Sequence, residues 1–184
     1  RDAGTLLVRD AGAVHDTRWV QQRSELPRII RAGRHIARTR RYLRGFAVEV
    51  EPEDLVEAVR KQARAGDGWV KLVGDWIDRD AGDLAGSFPA RTLKDAVAAA
   101  HDEGARVTAH CFAEDTLDDM LDAGIDCIEH GTGLLPRHVP RFVEQGVPIV
   151  PTLINIATFP DIAAQAEAKF PRYAAHMRSL WERR

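Results

Sequence analysis

Residues 104–133 read GARVTAHCFAEDTLDDMLDAGIDCIEHGTG and contain two short apolar runs with one helical segment between them. The runs at about 106–112 and 125–130 are too short for helices and are bounded by turn residues, which is typical of buried strands. The segment at 116–123 has a helical pattern and ends at Gly124, a residue that adopts the left-handed conformation at a helix end at low cost. Strand, helix and strand in this order predict a parallel sheet with helices packed outside it.

The same order extends along the chain in both directions. Helical patterns are found at about 52–65, 92–103, 136–145 and 162–184. Six strands are predicted in all, at about 5–9, 28–32, 69–73, 106–112, 125–130 and 147–153. Six strands do not close an eight-stranded barrel. We therefore expect an α/β fold, an incomplete (β/α)8 TIM barrel of about strands 2–7, in which 1–184 is a partial catalytic barrel without its N- and C-terminal parts.

The composition excludes several classes of protein. The 184 residues are 45% hydrophobic and carry a formal net charge of -2, so no overall basic field predicts nucleic acid as a partner. No apolar run approaches the roughly 20 residues needed to span a bilayer, so no membrane association is expected. Two cysteines are too few for a disulfide scaffold and are typical of a reducing, cytoplasmic environment.

The segment 28–44 is ambiguous because it holds seven arginines and no acidic residue. Their spacing by threes and fours is compatible with a basic helix. Three other interpretations are open: a solvated or loop-bound cluster, a loop that recognises substrate, and a phosphate or nucleic-acid patch. Without interleaved aromatic residues a nucleic-acid patch is the least favoured, and it requires binding that weakens steeply with salt.

Lys71 interrupts the apolar run 69–73, which is buried on both faces if the sheet is parallel and covered by helices. A lone ammonium group there carries a large desolvation penalty. The penalty is avoided if Lys71 reaches the rim of the sheet, pairs with a carboxylate such as Asp75, or is chemically changed.

Two histidines stand where the strands after Lys71 end. His110 closes the run VTAH and His130 closes the run CIEH. Parallel barrels carry their catalytic residues at this carboxyl end of the strands. Imidazole is also the commonest metal-ligating side chain near neutral pH, so the two histidines are candidate ligands.

The motifs GWVKLVGD at 68–75, VTAH at 107–110 and IEHGT at 128–132 together resemble three consecutive strands of the amidohydrolase superfamily. The similarity is greatest to its imidazolonepropionase-like and prolidase-like branch and extends over about 4–152. The resemblance implies a metal-dependent hydrolase that cleaves C–N bonds, with a small-molecule amide or dipeptide as substrate.

The resemblance also implies roles for the matched residues. Lys71 would be carboxylated and bridge two divalent ions, with zinc the expected metal, and His110 and His130 would complete the coordination of one ion. A hydroxide held between the ions would attack the amide carbonyl, so Lys71 and His130 are also the expected catalytic residues. Weaker expectations place Tyr42, Arg44 and Asp75 in contact with substrate.

The chain departs from the family pattern in two places. The family's first-strand His-x-His pair has no counterpart, and neither has the aspartate of its last strand. We therefore expect this segment alone to be inactive. A mononuclear imidazolonepropionase or deaminase type of hydrolase is one alternative, and a non-catalytic barrel remnant that serves binding or assembly is another. A homo-oligomer, the exact substrate and the native metal are left open.

Overall fold

A parallel sheet of six strands organises the protein, for which a computed structural model describes residues 1–183. The strands are β1 (Leu7–Asp10), β2 (Arg28–Arg31), β3 (Ile36–Arg38), β4 (Val48–Val50), β5 (Trp69–Val73), β6 (Asp75–Asp78), β7 (Asp83–Gly86), β8 (Arg106–Cys111), β9 (Cys127–His130) and β10 (Ile149–Val150). The helices are α1 (Leu55–Ala65), α2 (Ala90–Asp102), α3 (Glu114–Ala123), α4 (Val139–Gln145), α5 (Leu153–Ile156), α6 (Phe159–Ala166) and α7 (Pro171–Glu182).

The strand order confirms the predicted α/β class. In the main sheet the order is β10-β9-β8-β5-β3-β4, and every neighbouring pair is parallel. β1 and β2 form a separate parallel pair, while β6 and β7 form an antiparallel hairpin. The predicted alternation of strand and helix is present through β5, α2, β8, α3 and β9.

One face of the main sheet packs against α1, α2 and α3. Leu72 of β5, Ala109 of β8 and Ile128 of β9 are fully buried in this core. α3 ends as predicted at Gly124, whose φ of 82° lies in the left-handed region. Because helices cover this face, alternate residues of the same strands point to the opposite, inner face.

The ambiguous basic segment forms β2 and β3, so the basic helix is wrong. Its arginines are largely held by partners inside the fold: Arg31 pairs with Asp67, and Arg41 pairs with Asp78. The first contact joins β2 to the loop before β5, and the second joins the loop after β3 to β6. A guanidinium group suits both because it offers several donors in fixed geometry. The periodicity of the arginines therefore does not reflect a helix.

The predicted strand at 147–153 is mostly wrong. Only Ile149–Val150 pairs with β9, and α5 begins at Leu153. Between them Thr152 has a φ of 40°, a conformation that ends an extended strand.

The predicted helix at 162–184 is two helices, α6 and α7, over the described residues. The break falls at Phe170, which has an extended φ of -136°, directly before Pro171. Proline disfavours the helical conformation of the residue before it and opens a helix readily, which explains both features.

The hairpin of β6 and β7 was not predicted, because the sequence DWIDRDAGDLAG at 75–86 lacks a clean apolar alternation. Its turn is stabilised locally by Asp78, whose carboxylate accepts hydrogen bonds from the backbone N–H groups of Asp80 and Ala81. No helix within residues 1–183 combines the length and hydropathy needed to cross a membrane.

Candidate active site

The strand register brings the predicted residues onto the inner face of the sheet. Lys71 lies opposite Thr108, and Glu129 lies opposite His110. Because these four positions alternate with the core residues that face the helices, they share the inner face. The sheet thus places one lysine, one glutamate and one histidine on three adjacent strands.

Lys71 is 6% exposed, and its ammonium group donates a hydrogen bond to the carboxylate of Glu129. Thr108 donates a second hydrogen bond to this carboxylate, with 3.1 Å between the oxygens. Burial lowers the pKa of Lys71, and the charge of Glu129 opposes this effect. Burial raises the pKa of Glu129, but the charge and hydrogen bond of Lys71 bring it below its usual value. A carboxylate partner was one of the predicted solutions, but it is Glu129 and not Asp75.

His130 departs from the regular alternation of β9. Glu129 contacts Lys71 on the inner face, so an extended His130 would point toward the helices. Its φ of 70° instead turns the ring to the inner side, where it lies 4.7 Å from the ring of His110, centroid to centroid. Cys127, two residues before Glu129 on the same strand, also faces inward, 3.2 Å from the guanidinium of Arg9. Positive φ at a histidine is uncommon and occurs preferentially at functional sites.

Both histidines are electrically neutral near pH 7. Burial is the main reason that the pKa of His110 lies well below its usual value, and the charges of His130 and Lys71 lower it further. Burial, followed by the charge of Lys71, lowers the pKa of His130 to about 4. Neutral imidazole is the form that ligates metals and accepts protons. Within residues 1–183 the buried Nε2 atom of His110 makes no hydrogen bond, and the nearest carboxylate oxygen, that of Asp75, lies 3.6 Å away. Nδ1 of His130 is close to the hydroxyl of Thr152.

Asp75 is fully buried, with a carboxylate oxygen 3.6 Å from Nε2 of His110, so it does not line an open mouth of the site. Its carboxylate accepts hydrogen bonds from the backbone N–H groups of Phe112 (2.9 Å) and Ala113 (2.8 Å). Burial raises the pKa of Asp75 to about 6, although these hydrogen bonds oppose the shift. Asp75 therefore fixes the backbone that follows β8.

The other two predicted substrate contacts lie in different places. The ring of Tyr42 is 4.7 Å from that of Trp76 and 6.3 Å from that of His110. Tyr42, Trp76 and Phe112 line one side of the two histidines, and we call these three residues the aromatic wall. Arg44 is exposed and borders a separate surface hollow with Val14 and Phe46. Substrate contact at Tyr42, Arg44 and Asp75 remains a prediction.

The imidazole nitrogens of His110 and His130 could supply part of the ligand set of a metal site. Among residues 1–183, no three His, Cys, Asp or Glu side chains are arranged to hold a metal ion. His110 and His130 nevertheless lie side by side, and Nε2 of His110, which makes no hydrogen bond within residues 1–183, is the kind of buried polar atom that a ligand satisfies. An ammonium group has no lone pair for a cation, so Lys71 is not a ligand in its charged form. As a carbamate it would offer oxygen donors.

The site residues that the sequence analysis did not single out include Glu129, Thr108 and Phe112. Phe112 lies 4.2 Å from the ring of His110 and 5.0 Å from that of His130. Glu129 lies inside the motif IEHGT at 128–132 but was given no role there. The signal that the sequence offered was the position of Glu129, directly before the candidate ligand His130.

Gly133 packs against the backbone after β8, and we expect Gly133→Ala to lower the free energy of unfolding by about 1–3 kcal/mol. A β-carbon at this position would lie 2.5 Å from backbone atoms of Ala113 and Glu114, which have no flexible end that can move aside. Urea denaturation measures the loss. The control is Gly86→Ala, where the nearest atom would be 4.0 Å away. Equal stability of the two variants would contradict the close approach.

The chain is 58% identical over all of its 184 residues to uncharacterized proteins of Mycobacterium tuberculosis (strain ATCC 25618 / H37Rv) and Mycobacterium bovis. It covers 50% of each, so it spans about half the length of these curated relatives. No protein-family model matches the sequence.

Solved structures match nearly the whole chain. A Xaa-Pro dipeptidase with bound methionine has a TM-score of 0.70 at 21% identity, and an amidohydrolase has 0.71 at 20% identity. Each match covers 98% of this chain and 50% of the other chain. The chain has the amidohydrolase fold. Ochratoxinase of A. niger extends this likeness, with a TM-score of 0.75 at 16% identity over 98% of this chain and 48% of its own. The predicted resemblance to the amidohydrolase superfamily is thereby confirmed for the fold.

Proposed function

We propose that the chain is part of the catalytic barrel of a metal-dependent hydrolase that cleaves C–N bonds in small amides or dipeptides. The supporting observation is the pair of neutral imidazoles of His110 and His130, beside buried Lys71 on the inner face of a parallel sheet. The fold shared with a Xaa-Pro dipeptidase agrees with this class of reaction.

In this proposal His110, His130 and a carboxylated Lys71 hold the metal, and zinc suits these nitrogen and oxygen donors. A bound divalent ion would supply an activated water and polarise the carbonyl of the substrate. Thr152 orients the ring of His130 through Nδ1. The three side chains are an incomplete ligand set, so we expect the segment 1–184 alone to be inactive.

Metal content and hydrolysis of the intact protein test the proposal together. We expect about two divalent ions per chain, hydrolysis of dipeptides or small amides, and a mass increase at Lys71 equal to one carbon dioxide. Elemental analysis, a substrate panel and intact-protein mass spectrometry under native conditions measure the three quantities. An intact protein that binds no divalent ion and hydrolyses no amide would refute the proposal.

A mononuclear hydrolase is a second candidate, and the contact between Lys71 and Glu129 favours it. The ion pair neutralises the buried ammonium without any carbamate, so the burial of Lys71 alone does not require carboxylation. One tightly bound ion per chain, with Lys71 unmodified, would support this candidate against the binuclear one.

A further inference from the structure

The last two described helices cover the wall of the candidate site. α6 and α7 contribute Phe159, Met177 and Leu180 to a buried apolar cluster that also contains Phe112. The ring of Phe159 lies 4.9 Å from that of Phe112, which in turn contacts both His110 and His130. We call α6 and α7 the cap.

A polar contact fastens the cap to the rest of the protein. Nδ1 of His176 on α7 lies 2.9 Å from a carboxylate oxygen of Asp83 on β7. Nε2 of the same ring lies 2.8 Å from a carboxylate oxygen of Glu114, the first residue of α3. One imidazole on α7 thus contacts both β7 and the first residue of α3.

The geometry requires the charged form of His176. A neutral imidazole carries a single N–H and would leave one of the two carboxylates facing a lone pair. The imidazolium ion donates to both carboxylates, and such charge-assisted hydrogen bonds are stronger than neutral ones. The ring is 22% exposed, so protons exchange with solvent readily.

The other charged groups around His176 come from α7, from the residue that follows it, and from β6, where Asp75 interacts electrostatically with His176. Arg183 contacts Glu114, and Arg172 lies 3.9 Å from Asp83. Burial lowers the pKa of His176, but the hydrogen bonds and charges of Glu114 and Asp83 outweigh it, and the pKa is raised above 6.5. The stabilisation is therefore complete below pH 6.5 and is lost as the pH rises through the raised value.

We propose that the cap is a lid over the aromatic wall beside His110 and His130. In this proposal, protonated His176 is the latch that holds the lid on β7 and α3. Release of the proton removes one of the two N–H donors of the ring, so one of the two contacts that join α7 to Asp83 and Glu114 is lost. This loss loosens α7, which opens the site under alkaline conditions. The latch concerns access to the site and does not depend on the reaction performed there.

Amide hydrogen exchange of the intact protein tests the latch without any substrate. Protection factors, which correct for the intrinsic pH dependence of exchange, are compared for α7 and α1 at about pH 6 and about pH 9. We expect the protection of α7 to fall about five- to thirtyfold more than that of α1. His176→Gln, which cannot carry the charge, should show low α7 protection at both pH values.

His101→Gln is the matched control, because His101 forms a 2.8 Å contact with Asp126 on a part of the surface away from the cap. This variant should keep the pH response of α7. Should His176→Gln fail to fold, Asp83→Asn removes one carboxylate and should move the opening to lower pH. Protection of α7 that does not respond to pH, or a response unchanged in the His176 or Asp83 variant, would overturn the proposal.

Discussion

Replacing Lys71 with alanine in the intact protein is expected to lower kcat/KM for amide hydrolysis at least about a hundredfold and to abolish binuclear metal loading. Lys71 is the side chain proposed to bridge the two ions as a carbamate, and alanine has no group that can do so. The loss is measured by steady-state kinetics on a dipeptide and by elemental analysis of the purified variant. The fold should persist, because the core face of β5 is untouched by the change.

Two companion variants separate chemistry from stability. Lys61→Ala removes an exposed lysine from α1 and should change neither metal content nor rate. Lys71→Ala/Glu129→Gln also removes the charge of Glu129, which the single variant leaves largely buried with only the Thr108 hydroxyl and Arg9 at 3.9 Å as partners. The double variant should therefore recover stability without restoring activity. If Lys71→Ala retained its activity and metal, the central role assigned to Lys71 would be wrong.

Glu129→Leu in the metal-free protein is expected to lower the free energy of unfolding by about 3–5 kcal/mol. The substitution leaves the Lys71 ammonium in a site where only 7% of its side chain is exposed, without the carboxylate that neutralises it. Urea denaturation of the metal-free protein measures the loss.

The double variant Lys71→Met/Glu129→Leu should recover most of that stability, because an apolar pair of similar volume carries no desolvation penalty. This comparison also shows whether the side chain of Lys71 is charged in the metal-free protein. A small effect of Glu129→Leu alone would mean that Lys71 is not a cation in the metal-free protein, contrary to the ion pair.

Local sequence patterns predicted the bounds of an element correctly where its conformation depends on its own residues. β5, β8 and β9 and the helices between them were predicted within a few residues, because short apolar runs and a glycine after a helix are local signals. The errors lie at β10 and within 162–184, where the conformations of Thr152 and Phe170 end an apparently continuous pattern. They also include β3, β4 and the β6–β7 hairpin, whose strands are short or polar and are stabilised by pairing with neighbours.

The sequence by itself determined the parallel α/β arrangement and placed Lys71, His110 and His130 at neighbouring strand positions, since strand periodicity and chain order are properties of the sequence. Only the tertiary structure decided which carboxylate neutralises Lys71. The partner is Glu129, 58 residues along the chain, and the register of three strands and the positive φ of His130 bring it to the inner face. The latch at His176 was hidden for the same reason, because its two carboxylates are 93 and 62 residues away and meet only when the cap packs against β7 and α3.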